Sequence, residues 1–552
     1  MTAHAADLLV TGRIATLAGP AGPGWAEAVA VRGGRVIAAG RSSDIEGLAG
    51  VRTRRLALGP GEVAIPGLTD AHLHLAEAAL ARLRVDVDGA TSIGAIQASV
   101  REAAVVMSDP EAWIEGAGWD PDLLGAWPTA ADLDAVAPGR LVALWAHDHH
   151  ALLVSTRALL EAGVDDDRGD PDGGVIRRDE AGRATGVLHE AAARLVGARI
   201  PSPTGDRVAA ALRPLVRELV SLGVVAVHDP GGLSERRDLG GPFEAYRDLA
   251  ASGALGMRVH ACLRPEQLGA AETQGLRSGQ PIGPDPLGRL RLGWQKTFAD
   301  GSLGSRTAAL LEPLETLPGE PAPPNDGYGV WLASPGELRD QAARAATIGI
   351  TTQIHGIGDA AVRAALDALA PTVGATALMP RVEHAQLISA EDLPRFAALG
   401  IAASVQPVHV RSDAEKARRL WGPRAEARGY ALAALAASGA VVPFGTDAPV
   451  EPVDPWPGIA CAVTRLAPSW PAGTPPFGPA NALDLWQAIR SACLDPALSA
   501  GEADRGRLVA GHRADIVVLP AAAVDEPVEV DGALWNARPR LVLLDGEVAA
   551  GG

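Results

Sequence analysis

Apolar positions along the chain fall into short blocks whose period changes from two to about 3.6 and back. Near the N-terminus the blocks alternate, as in "DLLVTGRIATLAG" and "AEAVAVRGGRVIAAGR", with Arg-Gly-Gly-Arg between two alternating runs. Such runs joined by a Gly-Gly turn predict a hairpin. The C-terminal "ADIVVLP" and "RLVLLDGEVAAGG" have the same pattern. Neither end is long enough to enclose a core alone. Residues 1–62 and 500–552 are therefore expected to combine into one small β-sandwich domain.

Between the ends, eight β-rich segments each stop at a polar residue or a turn: "EVAIPGLTDAH", "VVAVHDP", "MRVHACL", "LGWQKTF", "ITTQIHG", "RVEHAQ", "IAASVQP" and "VVPFGTDAP". Helical periods separate the later ones, in "GELRDQAARAATIG", "DAAVRAALDALA", "SAEDLPRFAALG" and "RAEARGYALAALAASG". Strands alternating with helices predict parallel pairing. Eight such units over residues 63–499 predict an α/β fold, a (β/α)8 TIM-like barrel with its chemistry at the C-terminal ends of the strands. A doubly wound open sheet is the competing architecture, and the strand count favours the barrel. The alternation breaks after His74 and resumes near Val224. That stretch has its own strand-like pieces, "WIEGAGWD" and "RLVALWAHDHHA", and "DPDGGVIRRDEAGRATGVLHEAA" predicts a hairpin followed by a helix. Residues 80–222 are expected to form an insertion after the first barrel strand that roofs the barrel mouth.

Composition narrows the partners. A formal net charge of −17 argues against nucleic acid and anionic membrane surfaces. No apolar run of about 18 residues predicts a membrane span, and no basic start followed by an apolar stretch predicts a signal peptide, so a cytoplasmic protein is expected. Cys262, Cys461 and Cys493 lie far apart and form no Cys-x-x-Cys pair, which excludes a disulfide scaffold and a thiolate zinc site. Of 49 basic residues only Lys296 and Lys416 are lysines.

The candidate chemistry sits at strand ends. His72 and His74, in "DAHLHL", are two residues apart and share a face of an extended strand. Alone, such a pair is more often structural than ligating. His355 ends the fifth segment, His384 the sixth and Asp447 the eighth, while Lys296 lies in the fourth. In a barrel these ends converge on one mouth, where four imidazoles, a carboxylate and an amine suit one or two divalent cations, zinc first.

In that order and on those segments, these residues resemble the amidohydrolase superfamily. Within it they are most similar to amidohydrolase family 3, the group of YtcJ-like and N-substituted formamide deformylase-like proteins. The resemblance covers nearly the whole chain and rests on "PGLTDAHLHL", "DGGVIRRDEAGRATGVLHE", "KTFADGSLGSRTA", "RVEHAQ", "GTDAPV" and "GRLVAGHRADIVVLP". It implies His72 and His74 as ligands of the more buried metal and His355 and His384 as ligands of the second. Asp447 then binds metal and shuttles a proton, with His384 beside it in the catalytic set. Lys296 stands where related enzymes carry an N-carboxylated lysine bridging two metals, and Glu190 is the rival bridging or pocket carboxylate. The implied reaction is hydrolysis of a non-peptide amide, N-formyl or N-acyl bond in a small molecule, by an enzyme of a group that is often dimeric.

Simpler roles stand beside these. A core Lys296 paired with Asp300 would be served as well by arginine, which this chain otherwise uses. Of the "HDHH" run in the insertion, His150 is the candidate substrate contact, and Ser155 replaces an asparagine common in relatives. His228, ending the second segment, either lines the pocket or is structural. Trp119, one of four tryptophans in the insertion, either lines an apolar pocket or anchors a layer. Asp300 is a candidate pocket acid, and Arg306 could bind a substrate carboxylate or pair with Asp300 or Glu383. "IHGIGDAA" has the form of a dinucleotide fingerprint, which admits an NAD-binding oxidoreductase. A non-catalytic binding or assembly protein on the same barrel is the other alternative.

Overall fold

The computed structural model describes residues 5–107, 109–201, 203–231, 240–315, 324–525 and 527–551. Seven parallel strands follow one another in space in chain order: β1 (Leu68–Asp70), β2 (Val224–Asp229), β3 (Arg258–Leu263), β4 (Leu290–Phe298), β5 (Thr352–Gly356), β6 (Arg381–His384) and β7 (Ala402–Ser404). The eighth predicted strand is not a regular one. Pro443 has no N–H to give a ladder, so the segment pairs through single contacts. Ala403 N donates to Val441 O at 3.0 Å and Val405 N to Pro443 O at 3.0 Å. On its other side Ala71 N donates to Phe444 O at 2.8 Å and Asp447 N to His72 O at 2.7 Å. The segment thus joins β7 to β1, giving a TIM-like barrel. Gly445 permits the close approach, because a Cβ there would lie 2.6 Å from His72 N.

Helices cover the barrel where sequence period and caps agree. Pro335–Thr347 starts on a Ser334/Glu337 capping box, and Asp359–Leu369 follows β5. Two expected helices are shorter than their apolar period. The one in "SAEDLPRFAALG" is only Arg395–Leu399, starting after Pro394. The one in "RAEARGYALAALAASG" splits into Pro423–Arg428 and Leu432–Ala437 around Gly429 and Tyr430, whose φ is 49°. A left-handed tyrosine ends an α-helix whatever the side-chain pattern.

A separate eight-stranded sheet draws on both ends of the chain. The C-terminal strands Ile516–Pro520, Leu541–Leu544 and Glu547–Gly551 join it through Glu62–Pro66, which pairs antiparallel with Ile516–Pro520. The Arg-Gly-Gly-Arg hairpin is present, with Arg32 opposite Arg35 and both glycines at positive φ. Between β1 and β2 the chain builds a six-stranded sheet spanning Val85 to Glu190. Its last two strands, Gly174–Arg178 and Ala184–Glu190, form a hairpin, and the helix Ala191–Gly197 follows. No helix among the described residues is long and apolar enough to cross a membrane.

Candidate active site

β1 ends in a turn built by Asp70. Its carboxylate, fully buried, accepts His72 N at 3.0 Å and Thr446 Oγ1 at 2.6 Å, tying the strand to the eighth segment. Burial pushes the Asp70 carboxyl up to about 7. Beyond that turn His72 and His74 face Asp447: His72 Nε2 lies 3.3 Å and His74 Nε2 3.4 Å from Asp447 Oδ1. Each ring is held from behind. His72 Nδ1 is 2.5 Å from Glu383 Oε2, and His74 Nδ1 is 2.6 Å from Gly231 O. A proton on Nδ1 directed at an oxygen leaves the Nε2 lone pair for the cleft, as a metal-ligating imidazole requires.

His384, ending β6, packs 4.9 Å from the His72 ring and 4.5 Å from the His355 ring, and its Nδ1 is 3.9 Å from Asp447 Oδ2. Burial holds His72, His355 and His384 below the usual imidazole range, and the Lys296 charge adds to this, so they are neutral bases. Burial would raise Asp447, but hydrogen bonds from His409 and His74 hold it well below the usual carboxylate range. Glu190, His384 and Asp447 have φ of 51°, 70° and 63°. Non-glycine residues in the left-handed region concentrate where the surrounding structure aims a side chain for a purpose.

Lys296 is fully buried on the face of β4 shared with Trp294 and Phe298. Among the described residues its Nζ has no hydrogen-bond partner, and it lies 4.9 Å from the Phe298 ring centre. Burial pushes its amine down to about 8. It does not pair with Asp300. That carboxylate instead accepts the N–H groups of Ala309 (2.8 Å), Ile357 (3.0 Å) and Gly358 (2.9 Å), with His355 Nε2 at 3.6 Å. Asp300 therefore ties the loop after β4 to the turn after β5 and is not a pocket residue. The same contacts remove the dinucleotide reading. The N–H groups that would cradle a pyrophosphate are taken by Asp300, and a Cβ on Gly358 would meet Ala309 O at 1.9 Å, so the glycine is spent on packing.

A cleft opens over these residues, lined by His72, His74, Lys296, His355, His384 and Asp447 from the barrel. The inserted sheet supplies Trp145, His149, His150 and Glu190. His150 Nδ1 sits 3.1 Å from both Glu190 oxygens, and Thr307 Oγ1 donates to Glu190 Oε1 at 2.9 Å. Burial opposes the charge on His150, yet Glu190 raises it to about 9. The cleft wall therefore carries an imidazolium. His147 turns away to Asp88 at 3.0 Å, so the "HDHH" run does not face one point.

Besides Asp300, three expected pocket residues lie elsewhere. Trp119 is fully buried in the core of the inserted sheet, donating Nε1–H to Leu144 O at 2.7 Å, and serves as an anchor. His228 packs one layer below the site, with Arg381 Nη2 at 2.8 Å and the Trp294 ring at 5.2 Å. Arg306 occupies the turn after β4 at φ 60° and is not among the residues lining the cleft. Ser155 is also structural, accepting Val142 N and capping a helix.

Sequence reading missed Glu383 and His409. His409 Nε2 is 3.2 Å from Asp447 Oδ2, and the charges of Asp447 and Glu451 raise it to about 10 against the effect of burial. The signal was a histidine three residues past Gln406 at the end of the seventh segment, one of the three segments without a candidate ligand. Glu383 figured in the sequence only as a possible partner of Arg306, not as the residue behind His72. Two groups could each hold an ion, His72 with His74 and Asp447, and His384 with His409 and Asp447.

A parallel barrel that converges neutral imidazoles, a carboxylate and a buried amine at its strand ends has the architecture of a metal-dependent hydrolase. Residues 60–550 match the model of the amidohydrolase family, and the chain belongs to that family. It is 32% identical to YtcJ of Bacillus subtilis (strain 168) over 485 residues, 86% of each chain. It is 27% identical over 519 residues to the N-substituted formamide deformylase of Arthrobacter pascens, covering 91% of each. Among solved structures, a metal-dependent hydrolase from Pyrococcus horikoshii OT3 superposes with a TM-score of 0.71 at 27% identity, covering 93% of this chain and 97% of that one.

Proposed function

We propose that the protein hydrolyses a non-peptide carbon–nitrogen bond, of the N-formyl or N-acyl amine type, in a small molecule. His72, His74, Lys296, His355, His384 and Asp447 would hold one or two divalent cations, zinc first. One observation carries this reading. His72 Nε2, His384 Nδ1 and Lys296 Nζ are buried without hydrogen-bond partners, all around Asp447. Buried polar atoms are usually paired; others here also lack partners, among them those of Gln295, His260 and Gln406, but these three stand in one cleft beside Asp447, where their donor chemistry fits a cation. Imidazole, carboxylate and amine donors suit zinc.

Such a cation, when bound, supplies Lewis acidity and brings the pKa of water towards neutrality. The remaining steps belong to the chain. Asp447 accepts the proton of the attacking water and returns it to the leaving nitrogen. That return favours an amide over an ester, because an amide nitrogen must be protonated to leave. His150, kept cationic by Glu190, donates to the developing oxyanion from the cleft wall. The formamide-cleaving relative supports the same bond type. Both oxygens of Glu190 are occupied, whereas the Lys296 amine has a lowered pKa and no partner. This favours N-carboxylated Lys296 over Glu190 as the bridge between two ions.

Elemental analysis of the purified protein, combined with a panel of formamides, amides, lactams and esters, tests the reading. Bound metal and turnover of at least one formamide or amide are expected. The Lys296→Arg variant should keep the fold and lose metal affinity by about 10-fold to 100-fold. Metal-free protein that stays inactive after zinc or manganese is added, or full activity in Lys296→Arg, would overturn it.

A further inference from the structure

His409 and Glu451 lie outside the ligand set proposed above, although His409 stands close enough to His384 and Asp447 to share an ion with them, and the two form a circuit with Asp447. Asp447 and Glu451 lie four residues apart on one turn, held by Val450 N donating to Asp447 O at 2.9 Å. The His409 ring stands between them, with Nε2 3.2 Å from Asp447 Oδ2 and Nδ1 3.7 Å from Glu451 Oε1. Glu451, 2% exposed, is fixed in turn: Ser412 Oγ donates to Oε1 at 2.7 Å and Arg411 Nη2 to Oε2 at 2.6 Å. Both donors lie on the helix Val410–Trp421, which begins immediately after His409. The carboxylate that faces the ring as an ion-pair partner is thus anchored to the ring's own helix.

We propose that Glu451 is a positioning residue: it fixes the His409 ring, which pins Asp447 Oδ2 and leaves Oδ1 aimed at His72 and His74. A carboxylate free to rotate would present either oxygen to the histidine pair. A carboxylate pinned through one oxygen presents the other at a fixed distance, 3.3 Å and 3.4 Å from the two Nε2 atoms. Outer partners of this kind orient ligands and tune metal affinity. The inference rests on Asp447 being a metal ligand.

Cobalt(II) titration of the metal-free protein tests it, reading both affinity and the visible ligand-field spectrum. Glutamine places its amide nitrogen where imidazole Nε2 lies, whereas asparagine places it near Nδ1, facing Glu451. His409→Gln keeps a donor towards Asp447 but loses the nitrogen that faces Glu451, so His409→Gln, His409→Asn and Glu451→Gln should each weaken cobalt binding by about 10-fold or more and shift the spectrum, and adding Glu451→Gln to His409→Gln should weaken it no further. Wild-type affinity and spectrum in Glu451→Gln, with or without a lower melting temperature of the metal-free protein, would make Glu451 merely structural and overturn the proposal. Wild-type binding by His409→Gln, or a further loss when Glu451→Gln is added to it, would overturn it as well. If wild-type protein itself binds no cobalt, the metal reading falls first and this inference falls with it.

Discussion

Lys296 shows most clearly how one side chain carries a function the rest of the chain would not predict. An ammonium buried without a partner costs folding free energy, and a chain that uses arginine for nearly every other cation could have placed a fork-shaped donor there. Only an amine can lose its proton and then add carbon dioxide through its nitrogen lone pair, releasing a second proton, to become a carbamate. The sign of the cost is testable. In the folded protein the amine titrates at about 8, against 10.5 when exposed. Below pH 8 both states hold the proton and the folded state bears the full penalty. Between about pH 8 and 10.5 the unfolded chain binds a proton that the folded one has shed, so wild-type stability rises with pH. Lys296→Met should therefore stabilise the metal-free protein at pH 7 by about 2–3 kcal/mol, with the advantage disappearing above about pH 10.5. Urea unfolding at several pH values reads this, and a variant less stable than wild type at pH 7 would contradict it.

Asp300 makes the corresponding point for an element. It looked like a partner for Lys296 or a pocket acid, and it is instead the acceptor for three buried N–H groups from two loops. Asp300→Ala leaves all three unpaired and should cost about 3 kcal/mol or more, read as a fall in melting temperature. Retention of wild-type stability would show that the loops hold one another without it. The contrast indicates which features were legible in sequence. Strand ends bearing His72, His74, His355, His384, Asp447 and Lys296 were readable because period and segment order place them. The roles of Asp300, His228 and Trp119 were not, because burial and backbone partners come from loops distant in sequence. Helix ends failed at Pro394 and Tyr430, where backbone geometry overrides the apolar period. The eighth strand was named by its apolar run, but Pro443 reduces it to single pairings. Glu383 and His409 were missed because each acts through another ligand, a relation that no spacing reveals.

At the scale of the molecule, the barrel and the inserted sheet each make half of the cleft. The barrel supplies the imidazoles and Asp447, and the insertion supplies Trp145, His149, His150 and Glu190. The chain's other lysine marks the seam between them: Lys416 Nζ lies 3.0 Å from Asp120 Oδ2, joining the helix after β7 to the inserted segment. One lysine is thus paired at an inter-sheet seam and the other unpaired at the cation site. The most direct test of the whole account is anomalous diffraction at the zinc edge from crystals of zinc-loaded protein. The account predicts a peak in the barrel mouth within about 2.0–2.3 Å of the Nε2 atoms of His72 and His74 and a carboxylate oxygen of Asp447. A peak only at surface residues, or none in the barrel mouth of fully loaded protein, would contradict it.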